Sequence, residues 1–168
     1  RAVVTRDAQL AALVIARDHE MDQLETEVER QAVRMLALRQ PMAADLRNVI
    51  GAIKLAGGIE RSGDLAKNIA RRSLAVVDED NREALKGIER MGQAVSRMLQ
   101  VALDAYARRD PVTAIGVLKQ DDDIDSRYNA LLRSMLVYMA EAPEQMSARS
   151  NFLFIVKNLE RIGDHCTN

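Results

Sequence analysis

The chain has 168 residues, enough for one medium-sized domain or two small ones with a real core. Its apolar share is an ordinary 48%, yet only 3% is aromatic and Trp is absent, so aliphatic residues, Ala and eight Met must fill the interior, as in helical bundles rather than β-sandwiches. A formal charge of −1 spread over 29% charged residues leaves no strongly basic face, which argues against direct nucleic-acid binding. The single cysteine, Cys166, has no partner for a disulfide and reads as a small buried hydrophobe.

Five helices are predicted, roughly 7–38, 42–77, 81–108, 111–140 and 148 to the end, and no segment alternates as a strand would. In the first, Leu10, Val14, Met21, Leu24, Val28, Met35 and Leu38 step by threes and fours, interrupted at Arg17 and Gln31. Pro41 divides it from the second, whose stripe Leu46, Ile50, Ile53 and Gly57 continues onto Glu60 and Asp64. A neighbouring stripe through Val49, Ala56 and Ile59 is also apolar. The polar patch Asp78-Glu79-Asp80-Asn81 marks the expected boundary between two halves, 1–78 and 79–168. Asp110-Pro111 is an N-cap followed by proline in the first turn of the fourth helix, and Pro143 precedes the fifth. In the fifth, Leu153 and Val156 lead onto Glu160 and Asp164.

The chain repeats itself. Glu60-Arg61-Ser62-Gly63-Asp64-Leu65-Ala66-Lys67-Asn68 returns as Glu160-Arg161-Ile162-Gly163-Asp164-His165-Cys166-Thr167-Asn168, with Glu, Arg, Gly, Asp and Asn retained. Asp18 and Asp22 in the first helix correspond to Asp121 and Asp125 in the fourth, displaced by 103 positions instead of 100, with the difference falling in connecting turns. Each half therefore includes two helices that each bear one acidic pair at i, i+4. The second half offers three helices and the first only two, so a further helix is expected before Arg1.

Carboxylates four apart share one helix face and repel each other, a cost that a bound cation would offset. Four of them across two helices form an all-oxygen site suited to Mg²⁺, Mn²⁺, Ca²⁺ or iron, whereas zinc usually also recruits His or Cys. Arg61 and Arg161 point about 100° away from their glutamates, towards the rim. Asn68 and Asn168, one turn past the aspartates, are candidates to support the coordination. Glu-x-x-His pairs, a nucleophile with its base and a phosphate-cradling glycine loop are all missing from the sequence, so an enzyme is the lesser reading.

Leu36-Ala-Leu-Arg-Gln-Pro-Met-Ala-Ala-Asp-Leu-Arg, the Glu-Arg-x-Gly-Asp-x-x-x-Asn-Ile motif, Asp121-x-x-x-Asp125-x-x-Tyr128 and Asn158-Leu-Glu-Arg-Ile-Gly-Asp-His165 together resemble the PhoU family of phosphate-regulatory proteins. The resemblance runs nearly end to end. It implies an all-α fold of two pseudo-symmetric three-helix bundles, here with the first helix of the N-terminal bundle missing, that is commonly dimeric, cytoplasmic and non-catalytic. It also implies metal ions, reported as iron, zinc, Mg²⁺ or Mn²⁺, on Asp18, Asp22, Glu60, Asp64, Asp121, Asp125, Glu160 and Asp164. The implied role is negative regulation of phosphate uptake and starvation signalling. The implied partners are the ATPase subunit of a phosphate ABC transporter and a sensor histidine kinase, so membrane association would be peripheral. A carboxylate-bridged metalloenzyme and a metal-free interaction bundle are the alternatives. Ser62 where the second copy has Ile162, and the pair Gly57-Gly58, are expected to loosen the first site relative to the second.

Overall fold

The computed structural model describes residues 1–77, 81–141, 143 and 146–168, without the side chain of Ala148. Residues 78–80 of the expected boundary patch, and Ala142 and Glu144 beside Pro143, lie outside the described residues. Among the described residues six α-helices follow one another: α1 Ala2–Thr5, α2 Ala8–Arg39, α3 Ala44–Ala75, α4 Arg82–Arg108, α5 Pro111–Ala140 and α6 Met146–Cys166. No strand occurs among the described residues, so the fold is all-α as expected.

The starts of α2, α4 and α5 are written in capping residues. Asp7 accepts the amide of Leu10 at 2.9 Å, Asn81 that of Ala84 at 2.9 Å, and Asp110 those of Val112 and Thr113 at 3.0 and 3.1 Å. Pro111 fits the first turn of α5 because that amide has no helical acceptor anyway. The one helix the periodicity missed, α1, has four residues, too few to show a period.

Helix α1 has a counterpart. Arg6 closes it in the left-handed region at φ 53°, and Arg109 closes α4 at φ 54°. Asp7 donates its amide to Ala2 at 3.1 Å, and Asp110 donates its amide to Ala105 at 2.9 Å. The same residue types, 103 positions apart, thus build the same turn, and α1 stands where the last turn of α4 stands.

The main core lies between α4, α5 and α6, around Ile88, Met91, Val95, Met98, Ile124, Met135, Phe152, Ile155 and Val156. Leu65 and Val76 join it from the α3 side. α3 and α6, which carry the two motifs, pack against each other at the centre, and α2 packs on α3. Arg72 of α3 fixes that central contact twice: its guanidinium lies 4.0 Å from the centroid of the Phe154 ring and donates to Asn151 at 3.0 Å.

Two expected stripes prove half-exposed. On α2 only Ala11 and Ala32 are fully buried, while Leu24, Met35 and Leu38 face outward. The reason is that α2 is flanked by α3 and touched by α1 at its beginning, and no other helix among the described residues packs on it. On α3, Leu46 and Ile50 are exposed and the buried line runs instead through Val49, Ser62 and Leu65, next to the carboxylates.

Candidate metal centre

Glycine sets the spacing at both sites. Gly63 lies between Glu60 and Asp64, and a β-carbon there would sit 3.5 Å from Met21 of α2. Gly163 lies between Glu160 and Asp164, and its β-carbon would sit 3.3 Å from Ile124 Cγ2 and 3.6 Å from Asp121 Oδ1. Met21 and Ile124 occupy matching places between the aspartates of α2 and α5. In each half a bare patch of one helix therefore receives an apolar side chain of the other, and the acidic pairs on either side are drawn together.

In the second half the convergence is tight. Oxygens of Asp125, Glu160 and Asp164 lie within 4.8 Å of one another, the one such acidic group among the described residues. Asp121 Oδ1 is buried and accepts no hydrogen bond. Burial, and then the charges of Asp125, Asp164, Asp122 and Glu160, raise the Asp121 carboxyl above its ordinary value. An orphaned buried oxygen beside three converging carboxylates fits a hard divalent cation, and all four residues offer the oxygen donors such an ion takes. Lys157 donates to Glu160 at 2.6 and 2.7 Å and lies 5.0 Å from the centroid of the Tyr128 ring.

The first half gathers the same four acids and adds one that the sequence reading missed. Glu60 is raised above its ordinary value by burial, then by Glu25, Asp64, Asp22 and Asp18. Glu25 approaches closely, since a β-carbon on Gly57 would stand 3.2 Å from its Oε1. Its place on α2 matches that of Tyr128 on α5, so the duplication hid it: nothing in the second copy marks the position as acidic. Lys67, also missed, reaches across from α3 to bond Asp18 of α2 at 2.5 Å, and it bonds Asp64 as well. The two carboxylates, Asp18 foremost, hold the Lys67 ammonium above its usual value.

The accompanying polar residues behave differently from the acids. Asn168 donates to the backbone carbonyl of Asp164 at 3.0 Å, extending the end of α6 instead of touching the carboxylate. Asn68 is half-buried one turn past Asp64. Burial first, then the charges of Arg61 and Arg161, lower the His165 imidazole below its ordinary value, which places the arginines of both motifs near one histidine where α3 meets α6. Burial, with a smaller contribution from Asp121, pushes the Cys166 thiol up to about 11, and its Sγ donates to Ile162 at 3.2 Å. Ser62 and Ile162 are equally buried, each 7% exposed. The serine tolerates this because its hydroxyl returns to its own helix, donating to Gly58 at 2.8 Å.

A duplicated helical bundle with one carboxylate cluster per repeat is thus the class of protein defined by fold and site. A PhoU-domain profile matches residues 1–73 and 88–168. A phosphate-specific transport system accessory protein PhoU homolog of Caulobacter vibrioides is 48% identical over 99% of this chain and 73% of its own length. Its counterpart from Zymomonas mobilis is 44% identical over 99% of this chain and 70% of its own. The crystal structure of PhoU from Pseudomonas aeruginosa superposes with a TM-score of 0.94 at 37% identity, covering 99% of this chain and 80% of that one. The phosphate transport system regulatory protein PhoU from Streptococcus pneumoniae gives 0.91 at 30% identity, covering 99% and 78%. The chain belongs to the PhoU family.

Proposed function

We propose that this protein is a metal-binding accessory protein, not an enzyme, that negatively regulates phosphate uptake and phosphate-starvation signalling. In this reading it works in the cytoplasm, as a homodimer, by linking the ATPase subunit of a phosphate ABC transporter to a sensor histidine kinase. The observation that carries the reading is the conjunction of family and site. Relatives at 48% and 44% identity are named as phosphate transport accessory proteins, and the acids that would hold an ion converge in the fold this chain shares with them. No helix of the described residues is long and apolar enough to cross a membrane, in keeping with contact to the transporter through protein surfaces.

The chemistry supports an adaptor. A phosphate receptor needs backbone amides or paired arginines around the anion, and the clusters here are acidic and would repel it. Information about phosphate then has to arrive through a partner. Metal, when bound, would offset part of the charge of the clustered carboxylates, with Asp121 and Asp125 of α5 and Glu160 and Asp164 of α6 as the residues to hold it. Deleting the gene should raise expression of phosphate-acquisition genes in phosphate-rich medium, and unchanged expression would refute the regulatory role. Glu160→Ala with Asp164→Ala should remove metal from the second half as measured by elemental analysis, and full retention would show the ligands to be elsewhere.

A second reading, the metal-free interaction bundle, draws support from the lysines, because Lys67 and Lys157 already pair with acids of the two clusters. It predicts no metal in protein purified without chelator.

A further inference from the structure

The two clusters are built from matching acids, but their built-in cations are placed differently. Lys67 spans the helix pair, holding Asp18 of α2 and Asp64 of α3 together. It is largely withdrawn from solvent, with its side chain 18% exposed and that of Asp18 11%. The residue at the matching position in the second copy is Thr167, whose hydroxyl donates to the backbone of Asp164 at 2.8 Å and leaves the carboxylates alone. Lys157, the lysine at the second cluster, ion-pairs with Glu160 of its own helix and is 43% exposed. Its counterpart in the first half is Gly57, beside Glu25.

An ammonium between two carboxylates occupies the space and supplies half of the charge that a divalent ion would supply. It is also tethered, so it meets no translational cost of capture and loses only the rotamer freedom of its own side chain. For a divalent ion to enter the first cluster, Lys67 would have to swing into water and give up both bonds. At the second cluster Lys157 lies at the rim, reaches α5 only through the face of the Tyr128 ring, joins no acid of α5 to one of α6, and leaves Asp121 Oδ1 without a partner. Only there do three acidic side chains lie within 4.8 Å of one another among the described residues.

We infer that the Lys67 ammonium is the resident cation of the first cluster, so that the two halves take up divalent metal unequally and the Asp121, Asp125, Glu160 and Asp164 cluster fills first. The inference rests on the metal-binding reading for the second cluster and stands on the Lys67 contacts for the first. A single gene doubling would then have produced one cluster locked by its own side chain and one that responds to metal.

The test uses Mn²⁺ as the probe, with the electron paramagnetic resonance signal of the free ion reporting binding to the full chain. Neutralising the second cluster by Glu160→Gln with Asp164→Asn should weaken Mn²⁺ binding by about tenfold or more. Adding Lys67→Thr to that background should restore binding at the first cluster by a similar factor of about ten. Neutralising the first cluster by Glu60→Gln with Asp64→Asn should leave the affinity of the chain within about threefold, well short of the loss expected for a ligand. Thermal unfolding gives a second readout. Lys67→Thr should lower the melting temperature in EDTA, and Mn²⁺ should recover the loss. Lys67→Gln, which keeps a donor for Asp18, replaces the threonine variant if that one unfolds. The inference is overturned if removing Lys67 leaves first-cluster affinity unchanged, or if the first cluster alone binds as tightly as the wild type. If the wild type binds no Mn²⁺ at all, the metal-binding reading fails. In that case a gain of binding on losing Lys67 still supports the resident-cation role, and no gain overturns it too.

Discussion

Glycines within the helices of this chain do opposite jobs according to what faces them. Gly58 has nothing within 4 Å of where a β-carbon would stand, so it contributes only helix-weakening backbone freedom. Gly58→Ala should therefore raise stability by about 0.5–1 kcal/mol in urea unfolding. Gly163 is different, because a side chain there would press on Ile124 and on Asp121, the residue whose oxygen lacks a partner. Gly163→Val should cost about 1–3 kcal/mol in the same measurement, and it should separate α5 from α6 at the acidic cluster. The sequence displayed both Glu-Arg-x-Gly-Asp glycines through the repeat, so this part of the site was legible. Lys67 and Glu25 were not, because each is absent from the corresponding place in the other copy.

Among whole elements, α4 and α2 mark the two extremes of what periodicity reveals. α4 buries Ala84, Ile88, Met91, Val95, Met98 and Ala105, a line that meets α5 and α6 along its length. Met91→Ala should cost about 2–5 kcal/mol. α2 has an equally regular stripe, but Leu38 is 72% exposed and Leu24→Ala should stay within about 0.5 kcal/mol of wild type. Spacing records which residues share a face, but whether a neighbour covers that face depends on the other helices. The turn between α2 and α3 holds a further feature that periodicity could not supply. Ala43 adopts φ 48° and ψ −108°, and as N-cap of α3 it makes no side-chain hydrogen bond. Relief of that strain by Ala43→Gly should add about 1 kcal/mol, read as a higher urea midpoint with an unchanged slope.

For the molecule as a whole, the acidic clusters set function against stability. The five long helices, the duplicated motif and the i, i+4 aspartates were legible because repeats and capping residues are local in sequence. The electrostatic cost was not, because it depends on burial and on acids from the neighbouring helix. Among the described residues each half holds one carboxyl raised above its ordinary value, Glu60 in the first and Asp121 in the second, with burial as the leading cause. When the folded state holds a proton more tightly than the unfolded state, ionisation favours unfolding. Each group's penalty is therefore complete above its raised folded value, shrinks as pH falls through the interval down to the unfolded value, and vanishes below it. In EDTA near neutral pH, Glu60→Gln and Asp121→Asn should each unfold at higher urea concentration than wild type. Below about pH 2.5, where the carboxyls of Glu60 and Asp121 are protonated in both wild-type states, that advantage should disappear. Added Mn²⁺ should reverse the order for Asp121→Asn, because the wild type gains a bound ion that the amide holds poorly. An advantage of Asp121→Asn that persisted at all pH values and survived Mn²⁺ would mean that packing, not charge, governs this cluster.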